Sequence, residues 1–414
     1  MQLNVKAELF ATALFSMEGT LRSYVIDGRR QAIHPVETEP ADQSRGSRDC
    51  QIKVHFNYST VHRVQVSCTL EDNLPRTSSM PKVWSIRNRN TSKSDMLNHR
   101  ERSVFDPPTL LETLLDSPVK LLLRIIYQVL GFMRSPLPPQ RYPIKVICIS
   151  DIHSKTTNIP PGDLLIVAGD LTDNGTPQDI QKAIDWIASL PHRHKIAIAG
   201  NHDYWLDPRA REHLDAGTLN PHCVDWKGIH YLQHSATTLS FPSHGNRRLQ
   251  IYGAPQIPQC GPPHFAFQYA RNQDAWTDTI PVDIDILVTH TPPKYHLDLP
   301  VALGCQHLLR EIWNVRPRLH VFGHVHAGYG SRVLYWDEAQ KAYEAGMSNR
   351  DGLLSSSLNV ELWICVLRVS FYGVTGLLWD RIWGGKAEAS QIINASLTYN
   401  NTGELANPAQ IVVI

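Results

Sequence analysis

The sequence predicts an α/β fold for the region from residue 144 onward, and three observations support this class. Six short runs rich in Val, Ile and Leu are typical of buried strands. They lie at 144–149, 164–168, 196–199, 249–253, 284–289 and 319–322. Two helical patterns, at 177–190 and 303–313, alternate with these runs as in α/β domains. The third observation is that polar residues able to bind metals directly follow five of the strands, which is where α/β proteins bind ligands.

Composition and length limit the class of protein. The chain has 414 residues, so one large domain with appendages or two domains are expected. The net charge of +1 gives no support to a nucleic-acid-binding protein, and we expect no nucleic-acid partner. The seven cysteines are scattered without a Cys-x-x-Cys pair, which favours free thiols in a reducing compartment. The N-terminal residues lack the pattern of a secretory signal, so we expect a cytoplasmic protein.

The part of the chain before residue 144 has a different character. Residues 1–104 are polar and mildly basic, and they predict a mostly disordered or variable region with one strand pattern at 51–66. Residues 105–143 contain an apolar helix at 107–133, which Pro118 can divide, followed by a proline-rich linker. The uninterrupted apolar length is below the ~20 residues that a membrane span requires. A helix on a membrane surface and a helix packed on the following domain are the two interpretations left open.

A second apolar stretch lies near the end of the chain. Residues 338–352 are polar and predict a loop, whereas 360–383 are apolar and rich in Trp. Because Arg368 falls inside this run, a membrane span is disfavoured. We interpret about 338–388 as an insertion that packs on the domain or on the 107–133 helix, with peripheral membrane contact through 107–133 and 360–383. Closing strands are predicted at 392–399 and 411–414, and the oligomeric state is left open.

Five of the predicted strands end in groups that can bind metals. These are Ser150-Asp151-Ile152-His153, Gly169-Asp170-Leu171-Thr172-Asp173, Gly200-Asn201-His202-Asp203, Thr289-His290-Thr291 and Phe322-Gly323-His324-Val325-His326. Each group alone is compatible with an ordinary turn. Together they bring many ionisable side chains to one edge, which is costly unless a cation or hydrogen bonds satisfy them. Mixed carboxylate, imidazole and amide donors suit Mn, Fe(II) or Zn better than Mg or Ca.

The order of these groups resembles the calcineurin-like metallophosphoesterase superfamily, whose signature is D-x-H, GD, GNHD, H and GHxH. The segments 289–293, 304–309, 316–323 and 393–396 resemble the eukaryotic metallophosphoesterase-domain-containing family of small phosphodiesterases. The resemblance covers about 144–335 and 389–414, so the domain is expected at 144–414 with a lineage-specific insertion at about 338–388. It implies a β-sandwich flanked by helices, with the active site at the carboxyl ends of the strands.

The resemblance also implies a role for each residue. Two divalent ions are expected, with Asp170 bridging them. Asp151, His153 and His326 would complete the first site, and Asn201, His290 and His324 the second. His202 would donate a proton to the leaving oxygen with Asp203 orienting it, and a supporting structural role is the alternative for His202. Asp173 is a weaker candidate, either as a partner of a ligand or as an acid at a helix N-terminus. We expect four other histidines to be surface residues: His192, His194, His213 and His222.

The implied function is a dimetal phosphoesterase that hydrolyses a small phosphodiester, with a nucleotide as one candidate, by direct attack of a metal-bridging hydroxide. A phosphomonoesterase is one alternative. A membrane-associated binding or scaffold protein with a vestigial metal site is the other, and the two apolar stretches motivate it. The complete set of ligands argues against a vestigial site.

Overall fold

The computed structural model describes residues 105–134, 137, 140–212, 224–349 and 353–414, together with four short strands nearer the N-terminus. The chain divides into two compact units, 1–97 and 98–414. In the first unit, strand β1 (Tyr24–Ile26) pairs antiparallel with β2 (Ile33–Pro35), and β3 (Ile52–His55) with β4 (Gln65–Cys68). The second pair lies where the strand pattern was predicted. The rest of 1–104, and with it the prediction of disorder, lies outside the described residues, as do Pro136, Pro138 and Pro139 of the linker.

The second unit contains two sheets. The five-stranded sheet has the order β17-β5-β6-β7-β8. Its strands are β5 (Lys145–Ile149), β6 (Leu164–Ala168), β7 (His194–Ile198), β8 (His230–Tyr231) and β17 (Gln410–Val413). The neighbours from β5 to β8 are parallel, and β17 closes the edge antiparallel to β5. The parallel pairing places the carboxyl ends of β5, β6 and β7 at one edge.

The six-stranded sheet has the order β15-β16-β14-β13-β10-β9. Its strands are β9 (Ser235–Phe241), β10 (Arg247–Ala254), β13 (Ile286–Thr289), β14 (Leu319–Phe322), β15 (Gly330–Tyr335) and β16 (Ala389–Asn394). β10, β13, β14 and β16 run parallel, and β9 and β15 are antiparallel at the two edges. A short parallel pair, β11 (Ile257–Pro258) and β12 (Gln268–Tyr269), lies outside both sheets.

The two sheets share one apolar core. Val146, Ile166 and Ile196 of the first sheet pack in the same buried cluster as Ile251 and Val321 of the second. All six runs of Val, Ile and Leu are strands, with ends that differ from the predicted ones by a few residues at most. The structure therefore confirms the α/β class and the two-sheet sandwich.

Eight α-helices occur among the described residues. They are α1 (Leu110–Asp116), α2 (Pro118–Met133), α3 (Pro177–Ser189), α4 (Pro208–Arg211), α5 (Gln306–Val315), α6 (Glu338–Ser348), α7 (Leu353–Leu358) and α8 (Val360–Arg381). Short 3-10 turns lie at Tyr204–Leu206, Pro242–His244 and His326–Gly328. Helix α3 buries Ile180, Ile184 and Ile187 on the outer face of the five-stranded sheet, and α5 covers the other sheet with Leu308 and Ile312.

Pro118 divides the first apolar stretch as the sequence indicated. Ser117 is extended and its hydroxyl accepts a hydrogen bond from the Lys120 amide, while Pro118 occupies the first turn of α2. Proline is tolerated there because the first amides of a helix have no partner within it.

The polar segment 338–352 was predicted as a loop, and this prediction is wrong. Residues 338–348 form α6, whose N-terminus is capped by the Asp337 carboxylate accepting from the Gln340 amide. The helix forms because Ala342, Tyr343 and Met347 are buried on one side. Gln340 is buried with them and donates to Glu344. Helix α8 packs against both α6 and α2, where a methyl group added at Gly346 would lie 2.4 Å from Leu123 and 3.1 Å from Cys365. The described residues between β15 and β16 thus form an excursion, and its helix α8 packs on the 107–133 region.

Candidate metal centre

Sharp turns after the strands aim the polar side chains at one another. Asp151, His153, Asp170 and His324 all have positive φ angles, of 53°, 47°, 51° and 67°. This backbone conformation is unusual for residues other than glycine, and such strain is concentrated at functional sites. Gly200 is required for a different reason, since a methyl group there would lie 2.2 Å from the Asp170 amide nitrogen. The loops after β6 and β7 can approach this closely only with glycine at that position.

Asp151, His153 and His326 form the first group of potential ligands. The Nε2 atoms of His153 and His326 are 3.3 Å apart, and the Nε2 of His326 is 3.4 Å from the Asp151 carboxylate. The Asp151 carboxylate also accepts from the His324 amide at 3.0 Å, which joins the loop after β5 to the loop after β14. These are the three residues that the sequence assigned to the first site.

His290, His324 and Asn201 lie together on the other side of Asp170. The Nε2 of His290 is 3.3 Å from Asp170 Oδ2 and 3.1 Å from the Asn201 side-chain oxygen. The rings of His290 and His324 are 5.2 Å apart. Asp170 Oδ2 is also 3.9 Å from the Nε2 of His153, whereas Oδ1 accepts from the His202 amide. One oxygen of Asp170 thus faces both groups while the other fixes the side chain.

Hydrogen bonds behind the ligands determine which nitrogen faces the centre. The Nδ1 of His290 lies 2.9 Å from the Ala168 carbonyl, and the Nδ1 of His326 lies 3.0 Å from the Asn400 carbonyl. A carbonyl only accepts, so each Nδ1 carries a proton, and the neutral form of each ring has its lone pair on Nε2, directed inward. The Nδ1 of His153 lies 3.0 Å from the Asp173 carboxylate. Three inward lone pairs beside two buried carboxylates form a donor set that fits a pair of divalent cations.

The electrostatics of the cluster agree with this assignment. Burial alone would raise the pKa of Asp151, but His326 and His290 outweigh it and lower that pKa to about 2. Burial alone would lower the pKa of His153 and His290, and the neighbouring carboxylates raise both to about 9. The acids are therefore held ionised in a buried place by positive charge. Burial, with the charge of His290, lowers the pKa of His324 to about 3, which keeps this imidazole neutral and able to bind a metal.

The structure corrects the role expected for Asp203. Its carboxylate is buried and accepts from the amides of Gly200, Leu171 and Thr172 at 2.7–3.1 Å. The Nδ1 of His202 instead lies 3.1 Å from the Asp173 carbonyl. The prediction that Asp203 orients His202 is therefore wrong. The Asp203 carboxylate instead joins the GNHD turn to the turn after β6, because it accepts hydrogen bonds from backbone amides of both turns. Burial, with the charge of Asp170, raises the pKa of Asp203 to about 6.

His202 lies close to the ligand groups and also lines the pocket. Its ring is 5.1 Å from that of His153, and one ring nitrogen, a His153 nitrogen and an Asp170 oxygen are within 4.8 Å of one another. Its other face packs on Phe265 with the ring centres 4.9 Å apart. Among the remaining histidines, His192 was expected at the surface but is buried, with its Nε2 3.0 Å from the Pro160 carbonyl. His213 and His222 lie outside the described residues.

The centre opens into a pocket of about 140 Å³. Sequence reasoning identified its histidines, Asp170 and Asn201 but missed its other lining residues. These are Phe105, Cys260, Phe265, Asn400 and Asn401. No motif marks them, since they come from the segment before α1, from the loop between β11 and β12, and from the loop before β17. The Phe105 ring stands edge-on to His324 at 5.8 Å, although 219 positions separate the two in the chain.

Comparisons with known proteins agree with this geometry. A model of the calcineurin-like phosphoesterase family matches residues 144–328. The metallophosphoesterase domain-containing protein 1 of Homo sapiens is 35% identical over 226 residues, which is 47% of this chain and 64% of that protein. The UPF0046 protein C25E10.12 of Caenorhabditis elegans is 32% identical over 54% of this chain and 85% of its own length.

A further relative is named as a different class of enzyme. The probable rhamnogalacturonate lyase C of Emericella nidulans is 40% identical over 256 residues, which is 61% of this chain but 23% of that protein. The chain thus spans less than a quarter of this relative and under two thirds of the human one.

Proposed function

The chain belongs to the calcineurin-like metallophosphoesterase superfamily, and on this premise we propose that it is a dimetal phosphoesterase that hydrolyses a small phosphodiester. The observation that carries the proposal is the position of Asp170. Its Oδ2 lies between two separate groups of buried or half-buried ligands, Asp151 with His153 and His326, and His290 with His324. A carboxylate in this place can be shared by two ions, and a single ion would leave one group without a cation.

Each residue has a defined task in this proposal. Asp151, His153 and His326 hold one ion, Asn201, His290 and His324 hold the other, and Asp170 belongs to both. The donor types favour Mn, Fe(II) or Zn. When bound, such a pair supplies an activated water nucleophile and positive charge for the phosphoryl oxygens. The remaining work of binding, orientation and proton transfer falls to the pocket residues.

His202 is placed to supply a proton to the leaving group. Its Nδ1 donates to the Asp173 carbonyl at 3.1 Å, and its ring packs on Phe265, so the ring orientation is set from two sides. The Nε2 is then the atom that can carry a transferable proton, and the side chain lines the pocket. A general acid needs this combination of fixed orientation and access to the substrate.

The pocket supports a diester rather than a monoester. Its described lining residues include Phe105, Phe265 and Cys260 but no Lys or Arg. A phosphomonoester is a dianion at neutral pH and is usually bound by additional cationic side chains. A diester has one negative charge and a second organic group, for which the apolar walls offer contact. The two phenylalanines can also stack on a nucleobase, which supports a nucleotide among the candidates.

Hydrolysis of bis-p-nitrophenyl phosphate and of p-nitrophenyl phosphate tests the proposal. The purified full chain is assayed with Mn, Fe(II) or Zn and with EDTA, followed by a panel of cyclic nucleotides. We expect the diester to be the better substrate, EDTA to abolish hydrolysis and Asp170→Asn to be inactive. His230→Asn, at an exposed histidine away from the centre, is the matched control and should keep full activity. A chain that binds two ions and hydrolyses neither ester with any metal would support the scaffold alternative instead.

A further inference from the structure

The exposed apolar side chains of the described residues are concentrated in one part of the molecule. Of 25 large hydrophobic side chains that are exposed, 19 lie in the two segments 110–133 and 358–383. Scattered exposed hydrophobic residues need no explanation, but their concentration in two segments that pack on each other indicates an interaction site. The two segments correspond to α1 with α2 and to α8, with Leu358 just before it.

Helix α8 presents an apolar stripe on the side opposite to its packed face. The packed face consists of Leu362, Val366, Val369 and Gly373, which are buried against α2 and α6. The opposite stripe consists of Val360, Ile364, Leu367, Phe371 and Val374, all exposed. Leu367 and Phe371, at its centre, are 68% and 64% exposed. A helix that is apolar on both sides is normally covered on both sides. The outer stripe, about 21 Å long, is not covered by any of the residues that the structure describes.

Helices α1 and α2 extend this surface. Helix α1 has seven residues, none of them buried, and Leu110, Leu111, Leu114 and Leu115 are exposed. So short a helix is not stable in water by its own hydrogen bonds. On α2, the side chains of Leu122, Ile125, Val129 and Phe132 are exposed at helical spacing. We call the exposed sides of α1, α2 and α8 the apolar helical face.

A membrane-spanning arrangement of α8 conflicts with the sheet topology. Among the described residues α8 alone is long and apolar enough to cross a membrane, and 28% of its most apolar window is buried. The strands on either side of the excursion, β15 and β16, are paired neighbours in one sheet, with Tyr335 opposite Ala389. A single crossing between them would place the two strands on opposite sides of the bilayer. Helix α8 therefore lies along the domain surface.

We propose that the apolar helical face docks into the interface of a lipid bilayer, with α1, α2 and α8 parallel to the membrane plane. The stripe on α8 has no polar side chain at its five positions, whereas an interface with another protein carries about one hydrogen bond per 100–200 Å². Hydrocarbon needs no such partners. Trp363, near the start of α8, and Trp379 and Trp383, at its end, are exposed. Exposed tryptophan is typical of helices that lie at the boundary between headgroups and acyl chains.

The apolar helical face begins close to the metal centre. Phe105 lines the pocket and lies edge-on to His324, and α1 begins five residues later at Leu110. Five residues span at most about 18 Å. The ends of α2 and α8 are tied together, because the Arg381 guanidinium donates to the carbonyls of Met133 and Arg134. The face is thus a fixed surface on the same unit as the centre.

Flotation of the purified full chain with phosphatidylcholine vesicles tests the proposal. The same vesicles with one third phosphatidylserine, and both kinds at high salt, are measured in parallel. We expect wild-type protein to float with neutral vesicles and to remain bound at high salt, since apolar contacts are not screened. The double variant Leu367→Glu with Phe371→Glu should lower the bound fraction by more than about tenfold. The matched control, Val282→Glu with Val301→Glu, changes two exposed side chains outside this face and should bind like the wild type.

Sedimentation velocity without lipid distinguishes the bilayer from the other two candidates for covering the apolar helical face, which are a second copy of the chain and another segment of it. If the wild type is a dimer and the Leu367→Glu/Phe371→Glu variant a monomer, the face is an interface between two copies, and the proposal is wrong. If the wild type is a monomer that does not float, another segment of the chain covers the face, and the proposal also fails. Equal loss of binding in the two double variants would contradict it as well. Circular dichroism of both variants should match the wild type, since all four positions are exposed.

Discussion

At the scale of single residues, the centre depends on which oxygen and which nitrogen each side chain turns inward. Asp170 gives one oxygen to the His202 amide and keeps the other for the space between the two ligand groups. His290 and His326 are fixed in the same way by the carbonyls of Ala168 and Asn400. The Nδ1 of His202 is held in the same way by the Asp173 carbonyl, so ligand and proton donor differ in their position around the centre rather than in residue type. This difference can be measured by substitution.

Replacing Asp170 and His202 separates metal binding from proton transfer. We expect Asp170→Ala to lose bound metal, since the shared carboxylate is removed from both ligand groups. His202→Ala should retain about two ions and lose most of its turnover, by a factor of about 10²–10⁴ typical of general acid–base groups. Metal content by mass spectrometry and the rate of diester hydrolysis check both results. Equal metal loss in the two variants would show instead that His202 is a ligand.

Asp173 is a positioning residue for His153. Its carboxylate lies 3.0 Å from the Nδ1 of His153, and it contributes to the raised pKa of that imidazole. Partners of metal-binding histidines typically contribute 10–100-fold to metal affinity. Asp173→Asn should therefore weaken metal binding by about 10–100-fold while kcat at saturating metal changes little.

Metal titrations, with diester hydrolysis as the readout, give the metal affinity and the kcat of Asp173→Asn. Asp185→Asn is the matched control, because this carboxylate on α3 is similarly exposed, 48% against 52% for Asp173. An Asp173→Asn variant that binds metal as well as Asp185→Asn would exclude the positioning role.

At the scale of elements, a buried ion pair joins the two ends of the excursion. The Arg134 side chain, just after α2, contacts Asp380 in α8 and Asp337 before α6. Arg134 and Asp380 are almost fully buried, with side chains 5% and 3% exposed. The apolar contacts of α2 and α8 supply attraction, but this pair sets how the two helices are aligned at that end.

Removing Arg134 should destabilise the second unit markedly. Arg134→Ala removes the guanidinium that both carboxylates contact, one of them buried, and we expect a loss of about 3–5 kcal/mol in unfolding free energy. The exposed pair of Arg316 and Glu388 serves as the control. Arg316→Ala should cost no more than about 1 kcal/mol. Urea unfolding of the metal-loaded proteins compares the two, and similar midpoints would mean that Arg134 has no special role.

At the scale of the whole molecule, folding and metal binding are linked through pH. His153 and His290 have pKa values raised to about 9 in the metal-free fold, against an ordinary value of about 6.5. The folded state then holds more protons than the unfolded state between these values, so stability is greatest below pH 6.5 and falls as pH rises to 9. For one such histidine the change is about 3 kcal/mol. Bound metal occupies the same nitrogens and removes this effect.

Thermal unfolding across this pH range is the test of the linkage. The Tm of EDTA-treated protein should fall between pH 6.5 and 9. The Tm of metal-loaded protein should not fall in the same way, because metal affinity rises as the protons leave. At metal concentrations 100 times the Kd, binding should add about 2.7 kcal/mol at a given pH. Parallel curves for the two forms would contradict the assignment of these histidines as ligands.

Prediction from the sequence succeeded where a local pattern carries the information. The buried strands have continuous apolar runs, and polar residues follow them directly, so β5, β6, β7, β13 and β14 and the seven side chains that cluster beyond them could be named in advance. Prediction failed for α6, whose apolar side is visible only once α2 and α8 are in place to cover it. It also failed for Asp203, which lies beside His202 in the chain but turns to the amides of another loop.

The sequence by itself therefore determined the fold class, the metal-binding chemistry and the existence of two apolar stretches. The tertiary structure alone decided three further features: the turn of Asp203 toward the amides of another loop, the phenylalanines that wall the pocket, and the side of each helix that the other described residues leave uncovered. The physical reason is the separation along the chain between the residues that determine each feature. Strand and ligand patterns are written in neighbouring residues, whereas these three features depend on contacts between residues far apart in the chain, such as Phe105 with His324 and Leu123 with Gly346.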